Sequence, residues 1–304
     1  MDYLAGEHAR TCRRDPRQIL PECRSIVVVG MRYPDPKAAE SFEESGLTGR
    51  VASYAWSRDY HLVMPERLKA LSTFIEKLVG HPPSQHWYSD TGPILERDLA
   101  QRAGLGWIGK NTCLIHPKIG SYFLLAEILL DIELEPDPPF TADRCGTCRR
   151  CIAACPTHCI LPDRTLDARR CIAYLTIEYK GEIPADLRPQ MGNWVFGCDV
   201  CQLVCPWNRS IEPDPAPVFM VRRDVPNPCL ADELKLTPQA FNQKFKESPI
   251  QRPRRRGYLR NLAVAAGNSG NPDLIPVLEQ TLLDREPLIR SHAEWAISQL
   301  RENG

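Results

Sequence analysis

Two runs of cysteine constrain this chain more than any other feature. Cys145, Cys148, Cys151 and Cys155 follow one another closely, and Pro156 ends the run. Three thiolates at this spacing can converge on one face of a [4Fe–4S] cubane, while the fourth, before the proline, grips a second. Cys198, Cys201 and Cys205, ended by Pro206, repeat the pattern without its first cysteine, because Val195 stands in that place. Cys171, between the runs, is the natural completion, with Cys159 as its competitor. The spacing therefore assigns Cys145, Cys148, Cys151 and Cys205 to one cluster and Cys155, Cys171, Cys198 and Cys201 to the other. Zinc favours isolated cysteine pairs over triplets ending in Cys-Pro, and disulfides require an oxidising compartment. Cys12, Cys23, Cys113, Cys159 and Cys229 read as small hydrophobes.

The rest of the chain must supply the fold. With 304 residues there is room for two domains and a small third. Hydrophobic content of 43% and charged content of 25% are those of a folded globular protein. Lys plus Arg and Asp plus Glu both number 38, which excludes a chain that is basic overall but not a local basic patch. No apolar run approaches the ~20 residues needed to cross a bilayer; the best, Tyr122 to Leu130, is interrupted by Glu127. The first eight residues lack the basic start and apolar stretch of a secretory leader, so a cytoplasmic location away from membranes is expected. The 28 prolines imply many turns rather than one long helical bundle.

Residues 1–139 read as an α/β domain. Ser25 to Met31 is a β-branched run expected to form a buried strand, and Pro65 to Val79 carries Leu68, Leu71, Ile75 and Leu78 at helical spacing. His86 to Asp90 reads as a second strand stopping at Thr91-Gly92-Pro93, then a helix running to Gly104. A glycine-rich loop, Gly104 to Lys110, leads to a third strand around Tyr122 to Leu130. Residues 140–210 form the cluster domain. Residues 211–250 read as a linker and connecting segment, with the proline-rich part, 211–228, over the surface. Residues 251–304 carry three apolar stripes at helical spacing, like the HEAT type of solenoid repeat. Clusters pass single electrons, so the α/β domain is expected to hold the group that performs the substrate chemistry. The glycine-rich loop is not the dinucleotide fingerprint and no Walker A sequence is present, so spacing alone does not name that group.

Longer stretches are more specific. Phe196-Gly-Cys-Asp-Val-Cys-Gln-Leu-Val-Cys-Pro-Trp-Asn208, Asp90-Thr-Gly-Pro-Ile-Leu-Glu-Arg97, Gly104-Leu-Gly-Trp-Ile-Gly-Lys-Asn111, Tyr54-Ala-Trp-Ser-Arg-Asp-Tyr-His61 and Cys171-Ile-Ala-Tyr-Leu-Thr-Ile-Glu178 together resemble the epoxyqueuosine reductase family. The resemblance covers nearly the whole chain. Members of that family carry roughly another helix and strand ahead of the Met-Asp-Tyr segment, so the chain is expected to be short at its N-terminus.

The resemblance implies an α/β cobalamin-binding domain, a ferredoxin-like domain with two [4Fe–4S] clusters and a C-terminal α-helical HEAT-like segment. It implies an oxidoreductase, related to reductive dehalogenases, that reduces epoxyqueuosine at the wobble position of tRNA to queuosine, the last step of queuosine synthesis. Base-off cobalamin is reduced to Co(I) by electrons from the two clusters. Asp90 matches the family's proton donor, and its strand neighbours Trp87 and Tyr88 would supply the burial that raises a carboxyl pKa. By motif position Arg13, Ser53, Asp90 and Asn111 are assigned to the cofactor, with Lys110 and His61 nearby. Asp59-Tyr60-His61 resembles a cobalt-ligating sequence, but Met64 stands where its glycine would be, so no lower axial ligand is read here.

For the tRNA, Arg252, Arg254, Arg255, Arg256 and Arg260 form a dense basic patch, with Tyr174, Tyr179 and Trp207 as candidate stacking partners. A reductant such as ferredoxin or flavodoxin and a monomeric state are expected. Two rivals remain at this point. A small-molecule corrinoid reductase of the dehalogenase kind usually carries an export signal and has no use for the arginine patch. A ferredoxin-like electron carrier leaves the α/β domain without a task.

Overall fold

The computed structural model describes residues 6–39, 47–209, 211–212, 214 and 216–302. The first five residues, on which the reading of the N-terminus partly rests, lie outside them. In chain order the strands are β1 (Ser25–Arg32), β2 (Arg50–Val51), β3 (Gln85–Tyr88), β4 (Trp107–Ile108), β5 (Leu114–Ile115), β6 (Phe123–Leu130) and β7 (Trp194–Phe196). The α-helices are α1 (Glu7–Arg14), α2 (Tyr60–Val79), α3 (Glu96–Arg102), α4 (Arg150–Ala154), α5 (Ile172–Ile177), α6 (Val200–Leu203), α7 (Leu230–Glu233), α8 (Pro238–Lys244), α9 (Arg254–Asn268), α10 (Ile275–Thr281) and α11 (Pro287–Glu302). Chain contacts divide these into two compact units. One comprises 1–33, 60–148 and 206–216; the other comprises 34–59, 149–205 and 217–304. Both are discontinuous, a different partition from the four consecutive segments that motifs and composition suggest.

The first unit is built on a three-stranded sheet of order β1-β6-β3, antiparallel throughout. β6 holds the centre because its run Phe-Leu-Leu-Ala-Glu-Ile-Leu-Leu is apolar on both faces, and Ala126 to Leu130 are all buried. β1, expected to be buried, lies along one edge and is only half-buried; among the described residues its one ladder partner is β6. α2 begins at Tyr60, more than a turn earlier than its proline suggests. α3 begins at Glu96, three residues after Pro93. The glycine-rich loop folds into the β4–β5 hairpin, where a Cβ on Gly106 would stand 2.1 Å from the Ile115 carbonyl oxygen. Glycine is required by that close approach.

The second unit is organised by α9. Its residues 257–267 are all buried, rather than one stripe of them. Leu259, Leu262, Ala263 and Ala266 share a core with Leu278 of α10 and Ile289, Ala293, Ala296 and Leu300 of α11. The other side of the helix packs against α5 and β7. Small side chains, Ala263, Ala265, Ala266 and Gly267, permit contact all round. The 211–228 segment is not a surface linker along its whole length. Phe219 and Val225 are buried, and the Pro226 and Pro228 carbonyls accept the Val51 and Gly49 N–H groups.

Candidate active site and cluster-binding loops

Asp90 stands on the turn that joins β3 to α3. The strand ends at Tyr88, and Asp90 takes a left-handed conformation, φ 64°. Such a backbone is uncommon outside glycine, although aspartate is among the residues that tolerate it. The next turn residues fold over Tyr88, and a Cβ on Gly92 would meet that ring at 2.4 Å, so only glycine fits. The Asp90 carboxylate oxygen Oδ2 accepts the Tyr60 hydroxyl at 2.6 Å, and His61 Nε2 lies 3.6 Å from the same oxygen. Tyr60 and His61 stack, with ring centroids 4.1 Å apart. The Asp90 N–H donates to Glu96 Oε1. The burial expected for Asp90 is not what the turn provides: its side chain is 60% exposed, because the chain leaves the sheet before reaching it.

Beneath the turn lies a carboxyl that the sequence shows only as the break in an apolar strand. Glu127 of β6 is wholly buried, neither of its carboxyl oxygens reaches a hydrogen-bond partner among the described residues, and it faces Glu96. Burial first, and then the Glu96 carboxyl, hold Glu127 well above the usual carboxylate range. Burial also raises Glu96, against the pull of the Asp90 N–H. Tyr60, Glu96 and Glu127 are the members of this constellation that motif reasoning did not assign.

The remaining candidates for cofactor contact occupy both units. In the first, Arg13 lies half-buried in α1. Asn111 is 3% exposed; its Oδ1 accepts the Cys113 N–H, while Nδ2 is a buried donor with no partner among the described residues. A buried orphan donor suits a ligand rich in amides and phosphate, as cobalamin is. Lys110 is not simply solvated: its ammonium donates to the Gly146 and Cys148 carbonyls at 2.6 and 2.9 Å, bracing the first cysteine loop. In the second unit, Ser53 is wholly buried, and its N–H donates to Asp199 Oδ2 at 2.7 Å.

None of the thirteen cysteines forms a disulfide. Cys145 and Cys148 belong to the first unit, where the Cys148 N–H closes a tight loop onto the Cys145 carbonyl. In the second, Cys151 lies on α4, which packs against α6 carrying Cys201, with Cys205 buried just beyond it. Cys155 and Cys159 form a buried cluster with Ile160, and Cys151, Cys171 and Cys201 pack on it. Burial pushes the Cys198 thiol up, with the Asp199, Cys171 and Cys155 charges adding to it. Cys159 Sγ lies 3.4 Å from Cys155 Sγ and also reaches Cys171; sharing hydrogen bonds among the three lowers the Cys155 and Cys171 thiols and raises that of Cys159. Among the described residues no three His, Cys, Asp or Glu close tightly enough for a single metal ion. A cubane instead takes one thiolate at each iron corner.

The arginines separate into different roles. Arg260 is 0% exposed; its guanidinium donates to the Leu175, Tyr179 and Gly181 carbonyls and to Asn261 Oδ1, so it has no face left for a phosphate. Its expected tRNA contact is thereby withdrawn. Arg255 is mostly buried against Asp284 and the Leu236 carbonyl. Arg252 pairs with Glu178, Arg256 donates to the Lys180 carbonyl, and Arg254 is exposed.

The mixed α/β frame with its two cysteine runs defines an iron–sulfur oxidoreductase. Residues 144–208 match the family model described as a 4Fe-4S double cluster binding domain, and residues 13–91 match that described as Epoxyqueuosine reductase QueG, DUF1730. The chain is 44% identical over 290 residues to the epoxyqueuosine reductase of Xanthomonas campestris, covering 94% of this chain and 81% of that protein. It is similar, with TM-score 0.87 and 33% identity over 94% of this chain and 76% of the other, to an epoxyqueuosine reductase crystallised with an epoxyqueuosine-modified tRNA-Tyr stem loop. A third likeness, with TM-score 0.85 at the same identity and coverage, is to the Bacillus subtilis enzyme with its catalytic aspartate loop swung out of the active site. This chain belongs to the epoxyqueuosine reductase family.

Proposed function

We propose that this chain reduces the epoxide of epoxyqueuosine at the tRNA wobble position to the cyclopentene of queuosine, with cobalamin and two [4Fe–4S] clusters as cofactors and Asp90 as proton donor. The observation that carries the reading is the likeness, over 94% of the chain, to a reductase seen with an epoxyqueuosine-modified stem loop. The alternative, a corrinoid iron–sulfur reductase acting on a small molecule, is disfavoured by the same likeness.

Loss of the epoxide oxygen as water takes two electrons and two protons, and a pair of one-electron clusters matches the electron count. Cobalamin, when bound, supplies a strongly nucleophilic reduced cobalt for opening the epoxide ring. Arg13, Ser53 and Asn111 would hold it, with the unpartnered Asn111 Nδ2 as the support that stands on geometry. Asp90 donates a proton from its carboxyl to the departing oxygen. The Bacillus subtilis relative is described with a catalytic loop named for an aspartate, and Asp90 likewise stands on a turn, with Tyr60 and His61 at its carboxylate. Asp90 is open to solvent here; substrate bound against it would supply the desolvation that favours a protonated carboxyl.

The cluster ligands are Cys145, Cys148, Cys151 and Cys205 for one cubane and Cys155, Cys171, Cys198 and Cys201 for the other. On the tRNA side, Arg254 and Arg256 occupy the first turn of α9, where cations oppose the helix dipole. An approaching phosphate relieves that conflict. The three C-terminal helices form a HEAT-like support for this face. A ferredoxin- or flavodoxin-class reductant, a monomer and a cytoplasmic setting complete the reading; no described helix is long and apolar enough to cross a membrane. The decisive experiment measures queuosine formation on epoxyqueuosine-containing tRNA with and without cobalamin. Turnover that is equal without cobalamin, or absent with it, refutes the proposal.

A further inference from the structure

The reaction just described leaves two neighbouring carboxyls without a task, Glu127 wholly buried and Glu96 half-buried. Glu127 sits in the central strand, opposite Val28 of β1 and Tyr88 of β3. A buried, unpartnered carboxylate is so unfavourable that the group keeps its proton instead. Glu96, which it faces, is the link to the surface. The Asp90 N–H is just beyond the β3 ladder, whose last pair is Tyr88 with Glu127, so the strand offers it no acceptor. Glu96 Oε1 takes that N–H at 2.5 Å. The bond falls on the one residue of the turn held at φ 64°, a conformation that a non-glycine residue keeps only when its surroundings fix it. The same conformation brings the Asp90 carboxyl to the Tyr60 hydroxyl.

We propose that Glu96 is a positioning residue for Asp90: its carboxyl latches the Asp90 backbone N–H and so holds the left-handed turn that presents the acid, with Glu127 as the dry floor beneath the latch. The inference rests on the reading of Asp90 as the proton donor, and two separate measurements keep the two apart.

The first is amide hydrogen exchange on the full chain, which does not depend on turnover. In the wild type the Asp90 amide should be protected although its side chain is exposed; an unprotected amide overturns the latch without any variant. Glu96→Ala should speed its exchange about tenfold, the loss of one hydrogen bond, and Glu96→Gln, which keeps an acceptor oxygen, should leave it near wild type. The second is steady-state kinetics on epoxyqueuosine-containing tRNA. Glu96→Ala should lower kcat about tenfold with KM for tRNA unchanged, and Glu96→Gln should restore it. If Glu96→Gln is as impaired as Glu96→Ala, or if Glu96→Ala turns over normally while Asp90→Asn is inactive, the positioning role is refuted and the acid reading stands. If Asp90→Asn turns over normally, the acid reading itself fails, whatever the exchange data show.

Discussion

Arg260 in α9 and Glu127 in β6 are both ionisable, both wholly buried and both central to their units, yet the protein treats them in opposite ways. The guanidinium is saturated: three carbonyls and one amide oxygen take its donors. The carboxyl has no comparable set of donors among the described residues and faces a second carboxyl, Glu96. A buried charge whose every donor is used is scaffolding, because it ties distant carbonyls to one helix. A buried carboxyl without such a set of partners is a liability; here it faces Glu96, whose carboxyl takes the Asp90 N–H. The contrast also explains why Arg260 is unavailable to tRNA while Arg254, six residues away, is exposed.

The comparison can be broken, beginning with the largest effects. Cysteines offer the same contrast between a group that is used and one that is packed. The wild type should carry about eight irons. Cys171→Ala should lose one cluster and all turnover, whereas Cys159→Ala should keep both clusters; iron analysis showing the reverse would exchange their roles. Next is the acid served by the Glu127 side of the molecule. Asp90→Asn preserves shape but has no carboxyl proton, so kcat should drop by about 10²–10⁴-fold with iron and cobalamin contents unchanged.

On the scaffolding side, Arg260→Met leaves the Leu175, Tyr179 and Gly181 carbonyls without this donor and should destabilise the chain in denaturant unfolding by about 1–3 kcal/mol for each carbonyl left unsatisfied. The tRNA salt dependence of the molecules that remain folded should not change. A lowered salt slope would return Arg260 to the interface.

Glu127 predicts a pH effect of definite sign. Its folded pKa is raised, so its contribution to stability is complete below the unfolded value of about 4.3 and is lost as pH climbs towards the folded value. Glu127→Gln, which cannot ionise, should flatten the decline in unfolding free energy between about pH 5 and about pH 8. An unchanged decline would mean that Glu127 is not the proton-bearing group. The smallest effect belongs to the surface. Arg254→Ala with Arg256→Ala should reduce the salt slope of tRNA binding by about 0.7–0.9 for each phosphate that these arginines neutralise in the wild type.

Much of this was legible in the residues. The three strands of the main sheet and α2, α3, α9, α10 and α11 follow apolar runs and the prolines and glycines that bound them, with ends displaced where tertiary contacts intervene, as at α2, which begins more than a turn ahead of Pro65; α1, α7 and α8 carry no such signal. Asp90 was legible through its motif, but its exposure was not. Periodicity places a residue in a strand and cannot say that the chain leaves the sheet two residues early. Glu127 was visible only as an interruption, because a single acid in an apolar run carries no record of what it faces.

By itself, the sequence announced the double [4Fe–4S] cluster domain, because closely spaced cysteines ending in Cys-Pro are a local pattern, written in the intervals between Cys145 and Cys155 and between Cys198 and Cys205. The tertiary structure alone decided which charges would be buried. Five arginines within nine residues look alike in sequence, yet one is extracted from water because carbonyls some eighty residues away converge on it. Desolvation and its compensation are set by distant partners, and no local pattern encodes them.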